Sequence, residues 1–194
     1  MSANAILQVT NALHSRLATA LTRSTVPGSV FVGPLDDADA SDAALILFLY
    51  RIVPNANLRN REHRVMTNLT PLTVQEYRNS LPLDLYFLVT VGTKPGTSEE
   101  TLLKALGFAM QDLQADPELT GAAVAHETVH ISLEPLTTDE ASRIWALFPT
   151  ANYRTSIAYL ASPVWIDPPT PPPAPAPVVS DQLLSGQRLA EVAL

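Results

Sequence analysis

Apolar residues recur at helical intervals near the start of the chain. Between residues 3 and 23 they lie three or four positions apart, at Ile6, Val9, Leu13, Leu17 and Leu21. This spacing places them on one side of an α-helix, and Pro27-Gly28 then ends the segment. We predict an amphipathic helix over residues 3–23 that buries this side.

The next apolar segments have the patterns of β-strands. Val30 to Val32 is a short candidate strand. Ala43 to Val53 is almost continuously apolar, which predicts a central strand that is buried on both faces and ends at Pro54. Leu83 to Val91 alternates, so that one face of the predicted strand carries Leu83, Leu85, Phe87, Val89 and Val91.

A capping box predicts a second helix. Thr97 is the expected N-cap, with Glu100 three residues later, and the helix runs to about Ala115. Its predicted buried stripe is Leu102, Leu103, Leu106, Met110 and Leu113.

A second capping box, at Thr137 and Glu140, opens a shorter helix that Pro149 ends. A last strand is predicted from Tyr153 to Ile166, with Pro163 as a point of interruption.

The predicted order is α-β-β-β-α-β-α-β, in which hairpin-like and crossover connections are mixed. This order favours an α+β fold with a single mixed β-sheet flanked by helices, in one domain over residues 1–166. The composition changes at Asp167, because residues 167–177 contain seven prolines. We predict a polyproline II linker there, about 34 Å long, so that the domain carries a Pro-rich C-terminal arm.

Residues 178–194 follow the linker and are too few to build a core of their own. Their apolar positions include Val178, Val179, Leu183, Leu184, Leu189 and Val192. A stiff linker that holds apolar residues away from their own domain favours docking of this segment onto a partner. A frayed or folded-back tail is the alternative.

Residues 126–130 spell His-Glu-Thr-Val-His, the H-E-x-x-H string of zinc proteases. On a helix the two histidines share one metal, whereas on a strand they lie about 13 Å apart, too far for a common zinc ion. Val129, Ile131 and Leu133 alternate with polar residues, and Pro135 closes the run, so we predict a solvent-facing strand rather than a metal site.

The composition argues against several classes of function. The net charge of −7 argues against a general nucleic-acid binder. There is no cysteine, and the longest apolar run is far below the length of a membrane span. We therefore expect a soluble, cytoplasmic chain with no nucleic-acid or membrane partner. The acidic segment Asp36–Asp42 lacks the spacing of a calcium loop, and we interpret it as a solvated loop.

No acid, base and nucleophile converge in the pattern, so we expect no enzyme and no cofactor. One basic segment instead interrupts the acidic chain, with Arg51, Asn57, Arg59, Arg61 and Arg64 as the candidate binding residues. A solvated loop and a contact surface for an acidic protein partner are both open interpretations.

Four blocks carry a resemblance to a known family: residues 47–60 (LFLYRIVPNANLRN), 82–92 (PLDLYFLVTVG), 102–113 (LLKALGFAMQDL) and 131–167. The family, long labelled a domain of unknown function, is that of the tail-terminator or cap proteins of extracellular contractile injection systems of the antifeeding-prophage type. The resemblance spans about residues 3–167.

The resemblance implies a structural role without catalysis. Six copies would form a ring on the distal end of the inner tube, set its length and anchor the last sheath layer. It implies three partners: further copies of the chain, the inner tube protein and the sheath protein. The finished particle would be released or stay with the cell.

Two other functions stay open from the residues alone. One is a zinc hydrolase that uses His126, Glu127 and His130. The other is a free-standing adaptor whose segment Pro171-Pro172-Pro173-Ala174-Pro175 binds a proline-recognition domain.

Overall fold

The computed structural model describes residues 1–69 and 72–169. The helices in these ranges are α1 (Ala5–Ser24), α2 (Glu99–Ala115) and α3 (Thr138–Trp145), with 3₁₀ helices at Ala38–Asp42 and Ala122–Val124. The strands are β1 (Ser29–Val32), β2 (Ala43–Pro54), β3 (His63–Leu69), β4 (Leu72–Tyr77), β5 (Leu81–Val91), β6 (Glu118–Leu119), β7 (Val129–Glu134) and β8 (Ser156–Ile166). In the described ranges, no helix is long and apolar enough to cross a membrane.

Six strands form one mixed sheet in the order β1-β2-β5-β8-β7-β6. β1 runs parallel to β2, and every other neighbouring pair in this sheet is antiparallel. β3 and β4 form a separate two-stranded sheet. The predicted α+β class with helices around a mixed sheet is confirmed.

α1 and α2 cover one face of the large sheet and bury the main core. The predicted stripe of α1 is confirmed at Val9, Leu13 and Leu17, which are fully buried. The alternating positions of β5 face these helices as predicted, and all of them belong to the same core cluster: Leu83, Leu85, Phe87, Val89 and Val91. The alternation of β5 therefore determines which face of the sheet the two long helices cover.

The opposite face of the sheet has a smaller apolar cover. Trp145 at the end of α3 and Phe148 just after it pack over Ile46 and Leu88. The ring of Phe148 meets that of Phe48 edge to face at 5.2 Å. The capping box predicted for α3 is present, because Thr137 and Glu140 hydrogen-bond each other's backbone N–H groups.

The second helix begins and packs differently from the prediction. Ser98, not Thr97, is its N-cap, and the Ser98 side chain accepts a hydrogen bond from the backbone N–H of Thr101. Leu103 and Met110 are 42% and 36% exposed, so their predicted burial is wrong. The buried stripe instead includes Ala105 and Ala109. These small side chains face the core and let the helix approach the sheet closely.

Two strands also differ from the prediction. β2 lies between β1 and β5, as predicted for an interior strand, but only residues 43–47 are all buried, and its far half emerges from the core, where Ile52 is 45% exposed. β8 begins at Ser156 rather than Tyr153, whose side chain is 67% exposed. β8 continues through Pro163, but its register with β5 shifts between Ala161 and Val164, so the predicted interruption is a local irregularity of the pairing and not a break in the strand.

The β3–β4 hairpin is not among the predicted elements, because the basic segment that leads into it was interpreted as a solvated loop or a contact surface and not as a strand. His63 and Arg64 instead begin β3, which pairs antiparallel with β4 from His63 opposite Tyr77 to Leu69 opposite Leu72. A two-stranded hairpin has little stability of its own in water. Its base therefore has to be fixed by contacts with the rest of the domain.

Arg16 joins the two long helices at the C-terminal end of α2. Its guanidinium donates to the carboxylates of Asp112 at 3.0 Å and Asp116 at 3.1 Å. It also donates to the backbone carbonyls of both residues, at 3.0 and 2.9 Å. The last turn of a helix leaves carbonyls without partners, and the positive charge at that position opposes the negative end of the helix dipole.

We expect Arg16→Ala to lower the free energy of unfolding by about 1–3 kcal/mol, because several charge-assisted hydrogen bonds are lost together. Arg16→Lys should restore little, since an ammonium group lacks the planar fork of donors. Arg23→Ala is the matched control. Arg23 is half exposed, and within the described residues its guanidinium bonds only the Asp112 carboxylate, so its loss should cost below about 1 kcal/mol. Urea unfolding measures all three, and equal losses for Arg16→Ala and Arg23→Ala would contradict this role.

Candidate protein-interaction site

Some of the residues selected from the sequence, Asn57, Arg59, Arg61 and Arg64, lie at one end of the large sheet. β2 ends there, β5 begins, β8 ends, and the β3–β4 hairpin leaves the domain. We call residues 55–62, between β2 and β3, the basic loop. We call the polar cluster of His63, Ser80, Glu127 and Asp167 the hairpin root.

Asn55 fixes the start of the basic loop. Its side-chain amide donates to Asp84 Oδ1 at 2.9 Å, and the hydroxyl of Ser162 donates to the same oxygen. Oδ1 of the Asn55 side chain accepts hydrogen bonds from the backbone N–H groups of Asn57 and Leu58. The loop therefore starts as a side-chain-capped turn held against β5 and β8.

The hairpin root joins four parts of the chain that are distant in sequence. His63 Nδ1 lies 2.7 Å from Asp167 Oδ1, and His63 Nε2 lies 3.1 Å from Glu127 Oε1. Ser80 donates to Asp167 Oδ1 at 2.7 Å, and the Met1 amino group contacts the other oxygen of Asp167. The side chains of His63 and Asp167 are only 5% and 7% exposed.

The His63 ring also stacks on Trp165 in β8, at 4.6 Å between centroids and 9° between planes. Burial lowers the pKa of His63, but the hydrogen bonds and charges of Glu127 and Asp167 outweigh burial and leave the pKa above its ordinary value. Burial likewise raises the pKa of Asp167, and hydrogen bonds from the Met1 amino group, Ser80 and His63 reverse this, so that its pKa lies below the usual range. The positive charge of protonated His63 and the negative charge of Asp167 therefore both stabilise the hairpin root.

The basic loop presents its arginines to solvent. Asn57, Arg59 and Arg61 are exposed, and neither of these arginines has an ion-pair partner within residues 1–69 and 72–169. Arg64 is different, because its guanidinium pairs with Glu76 across the hairpin at 3.1 Å. Arg59 and Arg61 thus carry the positive charge of the basic loop, and Arg64 lies outside this loop on β3.

Arg51 lies apart from the basic loop. It sits on β2 next to a register irregularity, opposite Tyr86 of β5. Its guanidinium carbon is 5.0 Å from the centre of the Tyr86 ring, a cation–π arrangement. The structure therefore does not bring the predicted set together: Arg51 faces the sheet surface, and Asn57, Arg59 and Arg61 form the loop.

The H-E-x-x-H string does not form a helix. Ala125 and His126 have positive φ values of 55° and 62°, and β7 starts only at Val129. The predicted strand is therefore correct for Val129 onward and wrong for residues 126–128, because the left-handed pair turns the chain. His126 and His130 are both exposed. Glu127 instead bonds His63 in the hairpin root. Within the described ranges, no group of three or more His, Cys, Asp or Glu side chains is arranged to hold a metal ion.

The predicted C-terminal docking residues lie outside the described residues, as does most of the linker. The linker's first residues are described. Asp167 is part of the hairpin root, and Pro168 and Pro169 line an open cleft of about 680 Å³ beside it, together with Met1, Val65 and Tyr77. The linker thus starts at a fixed point on the domain.

Residues 8–180 match the family model of the Pvc16 N-terminal domain, which is most of the chain. The chain belongs to this family. No curated protein matches it.

Two solved structures share the fold of this Pvc16-family chain. One is the sheath/tube terminator of the extracellular contractile injection system PVC in its extended state, with a TM-score of 0.56 and 15% identity over 95% of this chain and 65% of that chain. The other is the tube-terminating cap of the anti-feeding prophage, with a TM-score of 0.61 and 19% identity over 90% of this chain and 59% of that chain. The chain thus spans less than two thirds of either protein. At these identities the likeness establishes the fold and not the partners.

Sequence patterns did not indicate the hairpin root. His63 sits among basic loop residues, Glu127 inside a misleading motif and Asp167 at a change of composition, and their contacts span 104 positions between His63 and Asp167. The hairpin had a weak signal in its β-branched residues Val65, Thr67, Thr73 and Val74.

We expect His63 to make stability depend on pH. Its folded pKa is raised, so its contribution is complete below about pH 6.5 and is lost as the pH rises through the folded pKa. Asp167 has a lowered pKa, so its contribution is present above about pH 4 and is lost on acidification. The root should therefore be most stable between these limits.

His63→Gln should remove the decline in stability above about pH 6.5 and cost about 1.5–3 kcal/mol at pH 6, the range for hydrogen bonds to charged groups. Thermal unfolding from pH 5 to 8.5 measures this. His14→Gln is the control, because the ring of His14 makes a single hydrogen bond in the described part of the chain, with the Val30 carbonyl. An unchanged pH profile in His63→Gln would contradict the assignment.

Proposed function

We propose that the chain is a structural tail-terminator, or cap, protein of a phage-tail-like contractile injection system. The observation that carries the proposal is the match of residues 8–180 to the Pvc16 N-terminal domain family. The two solved terminators with the same fold support it. The proposed activity is binding and positioning, without a catalytic step.

In this proposal, copies of the chain form a ring, a hexamer by the family resemblance, on the distal end of the inner tube. The ring sets the tube length and anchors the last sheath layer. The chain would be cytoplasmic during assembly and later part of a contractile particle. Its partners would be further copies of itself, the inner tube protein and the sheath protein.

The exposed basic residues are the proposed contact surface toward the tube or a neighbouring copy. Arg59 and Arg61 are the principal members, since their charges lack a partner within the described residues, while Asn57 lies beside them on the same loop. Arg51 contributes separately from the sheet face, where its aliphatic stem and the Tyr86 ring form a mixed surface. Arg64 contributes less, because Glu76 already neutralises it.

The Pro-rich linker and the segment after it form the proposed arm toward the sheath. The arm would start at Asp167, which four contacts hold at the hairpin root. A fixed starting point gives a stiff linker a defined direction. Val178, Val179, Leu183, Leu184, Leu189 and Val192 remain the proposed docking residues.

The purified chain should bind inner tubes at their ends and not along their sides. Electron microscopy of tubes mixed with gold-labelled protein measures the position of binding. In producing cells, loss of the chain should broaden the distribution of tube lengths, and wild-type protein should restore it. Binding along the tube wall, or unchanged lengths without the chain, would refute the terminator function.

Removal of residues 168–194 should separate the two proposed roles. The truncated chain keeps Asp167 and the hairpin root, so it should fold and bind tube ends as the full chain does. Attachment of the sheath should weaken, because the arm is absent. Counting sheathed and bare tubes in electron micrographs measures this, and fully sheathed, contractile particles from the truncated chain would contradict the assignment of the arm.

A further inference from the structure

Two clusters of solvent-exposed charged residues lie at opposite ends of β2. We call residues 36–42, which precede β2, the acidic loop. Its residues Asp36, Asp37 and Asp39 are exposed and have no ion-pair partner within the described residues, whereas Asp42 pairs with Lys94 at 2.7 Å. The basic loop, whose Arg59 and Arg61 have no ion-pair partner among the described residues either, follows the other end of the same strand.

The two loops cannot neutralise each other within one copy. β2 spans Ala43–Pro54, and at roughly 3.3 Å per residue its ends lie about 36 Å apart. Charges that far apart are screened, because the Debye length at physiological salt is about 8 Å. Each copy is therefore electrically polarised along β2, with a negative end and a positive end.

The acidic loop also forms one wall of a cleft of about 350 Å³ with an unsatisfied donor. Trp145 lines this cleft together with Asp36 and Asp37. Trp145 is only 6% exposed, and its indole N–H has no hydrogen-bond acceptor within the described residues. A buried donor without an acceptor is costly, so an acceptor that reached the indole N–H from water or from a partner would remove that cost.

The polar side chains that line the cleft limit which chemical groups could bind in it. Arg154 also lines it, but one of its guanidinium nitrogens already donates to the Gly92 carbonyl. A suitable occupant brings cations for the two carboxylates and an acceptor for the indole N–H. A backbone loop with arginines supplies both, because guanidinium groups bind carboxylates in two-bond pairs and the loop's carbonyls and amides accept hydrogen bonds.

We propose that the basic loop of one copy docks on the acidic loop of the next copy, with Arg59 and Arg61 against Asp36, Asp37 and Asp39 beside the Trp145 cleft. This inference rests on the ring of the proposed function and names its subunit contact. The two surfaces differ, so the contact is head to tail. Such contacts repeat from copy to copy and close into a ring when the rotation between copies permits.

Charge reversal tests the contact. R59E/R61E should raise the dissociation constant of the oligomer at least about 100-fold, since like charges then face each other. D36K/D37K should have a similar effect. Raising NaCl from about 0.05 to about 0.5 M should weaken the wild-type oligomer, as expected for exposed ion pairs. Sedimentation velocity over a concentration series measures the oligomer, and circular dichroism verifies that each variant is folded.

Two comparisons make the test specific. The matched control is K104E/R143E, which changes the net charge by the same amount on the exposed sides of α2 and α3 and should leave the oligomer intact. An equal mixture of R59E/R61E and D36K/D37K should form mixed oligomers, because the unchanged acidic loop of the first meets the unchanged basic loop of the second.

The indole donor has a test of its own. Trp145→Phe keeps an aromatic ring and removes the N–H, so it should weaken the oligomer on the order of fivefold, the value of one hydrogen bond. The loss of stability of the dilute monomer, read from its melting temperature, should be smaller than the loss of free energy of association. An oligomer that Trp145→Phe leaves unchanged overturns the part of the proposal that concerns the cleft.

The direction of the contact is tested by cross-linking. The chain has no cysteine, so D37C and R61C provide unique thiols. A short bis-maleimide should link the D37C/R61C chain into a ladder of oligomers, whereas R61C alone should not link to itself. Efficient self-linking of R61C alone indicates a two-fold contact and overturns the proposal.

A wild-type chain that stays monomeric, or oligomers as insensitive to R59E/R61E as to K104E/R143E, also overturns this contact. These outcomes are separate from the tube-end experiment. Charge-dependent rings that ignore tube ends would refute the terminator function and leave the contact standing. Rings that cap tubes but tolerate R59E/R61E would support the terminator function and refute the contact between the two loops.

Discussion

The buried carboxylate of Asp167 is the constraint on which the surface organisation of the domain depends. A charged group away from water is tolerated only with partners, and Asp167 has them in His63, Ser80 and the Met1 amino group. Because each partner comes from a different part of the chain, satisfying one carboxylate fixes three segments at once. The hairpin, the N-terminal segment and the start of the linker all take their positions from this contact.

The second constraint is the length of β2. β2 runs from one end of the sheet to the other, so the loops before and after it emerge at opposite ends of the domain. One loop is acidic and the other basic. A domain built in this way carries two complementary surfaces that never meet within one copy, which is the geometry that repeated head-to-tail assembly requires. The fold and the charge pattern thus agree with a protein that acts by assembly.

Local patterns in the sequence predicted what local forces determine. The period of α1, the alternation of β5 and the capping box of α3 were confirmed, because each depends on residues a few positions apart. The stripe of α2 was partly wrong, since Leu103 and Met110 are as apolar as their neighbours and only the contact with the sheet decides that Ala105 and Ala109 are buried instead. The hairpin root was missed entirely, because no local pattern links His63 to Glu127 and Asp167. Glu127 shows that a local pattern can also mislead. Its motif is that of a zinc protease, whereas its long-range contact with His63 makes it part of the hairpin root.

Weak contacts are sufficient for a cap, and they have an advantage over strong ones. An exposed ion pair contributes at most about 1 kcal/mol, so a single pair of copies joined by the two loops would separate readily. Closure into a ring makes every copy bind twice, and a tube end that engages all copies together multiplies the effect through avidity. In the proposed cap, misplaced copies would therefore leave during assembly, while a completed ring on a tube end would stay in place. A rigid domain serves this balance, because each contact ordered in advance by the hairpin root and by Asn55 avoids an entropic cost on binding.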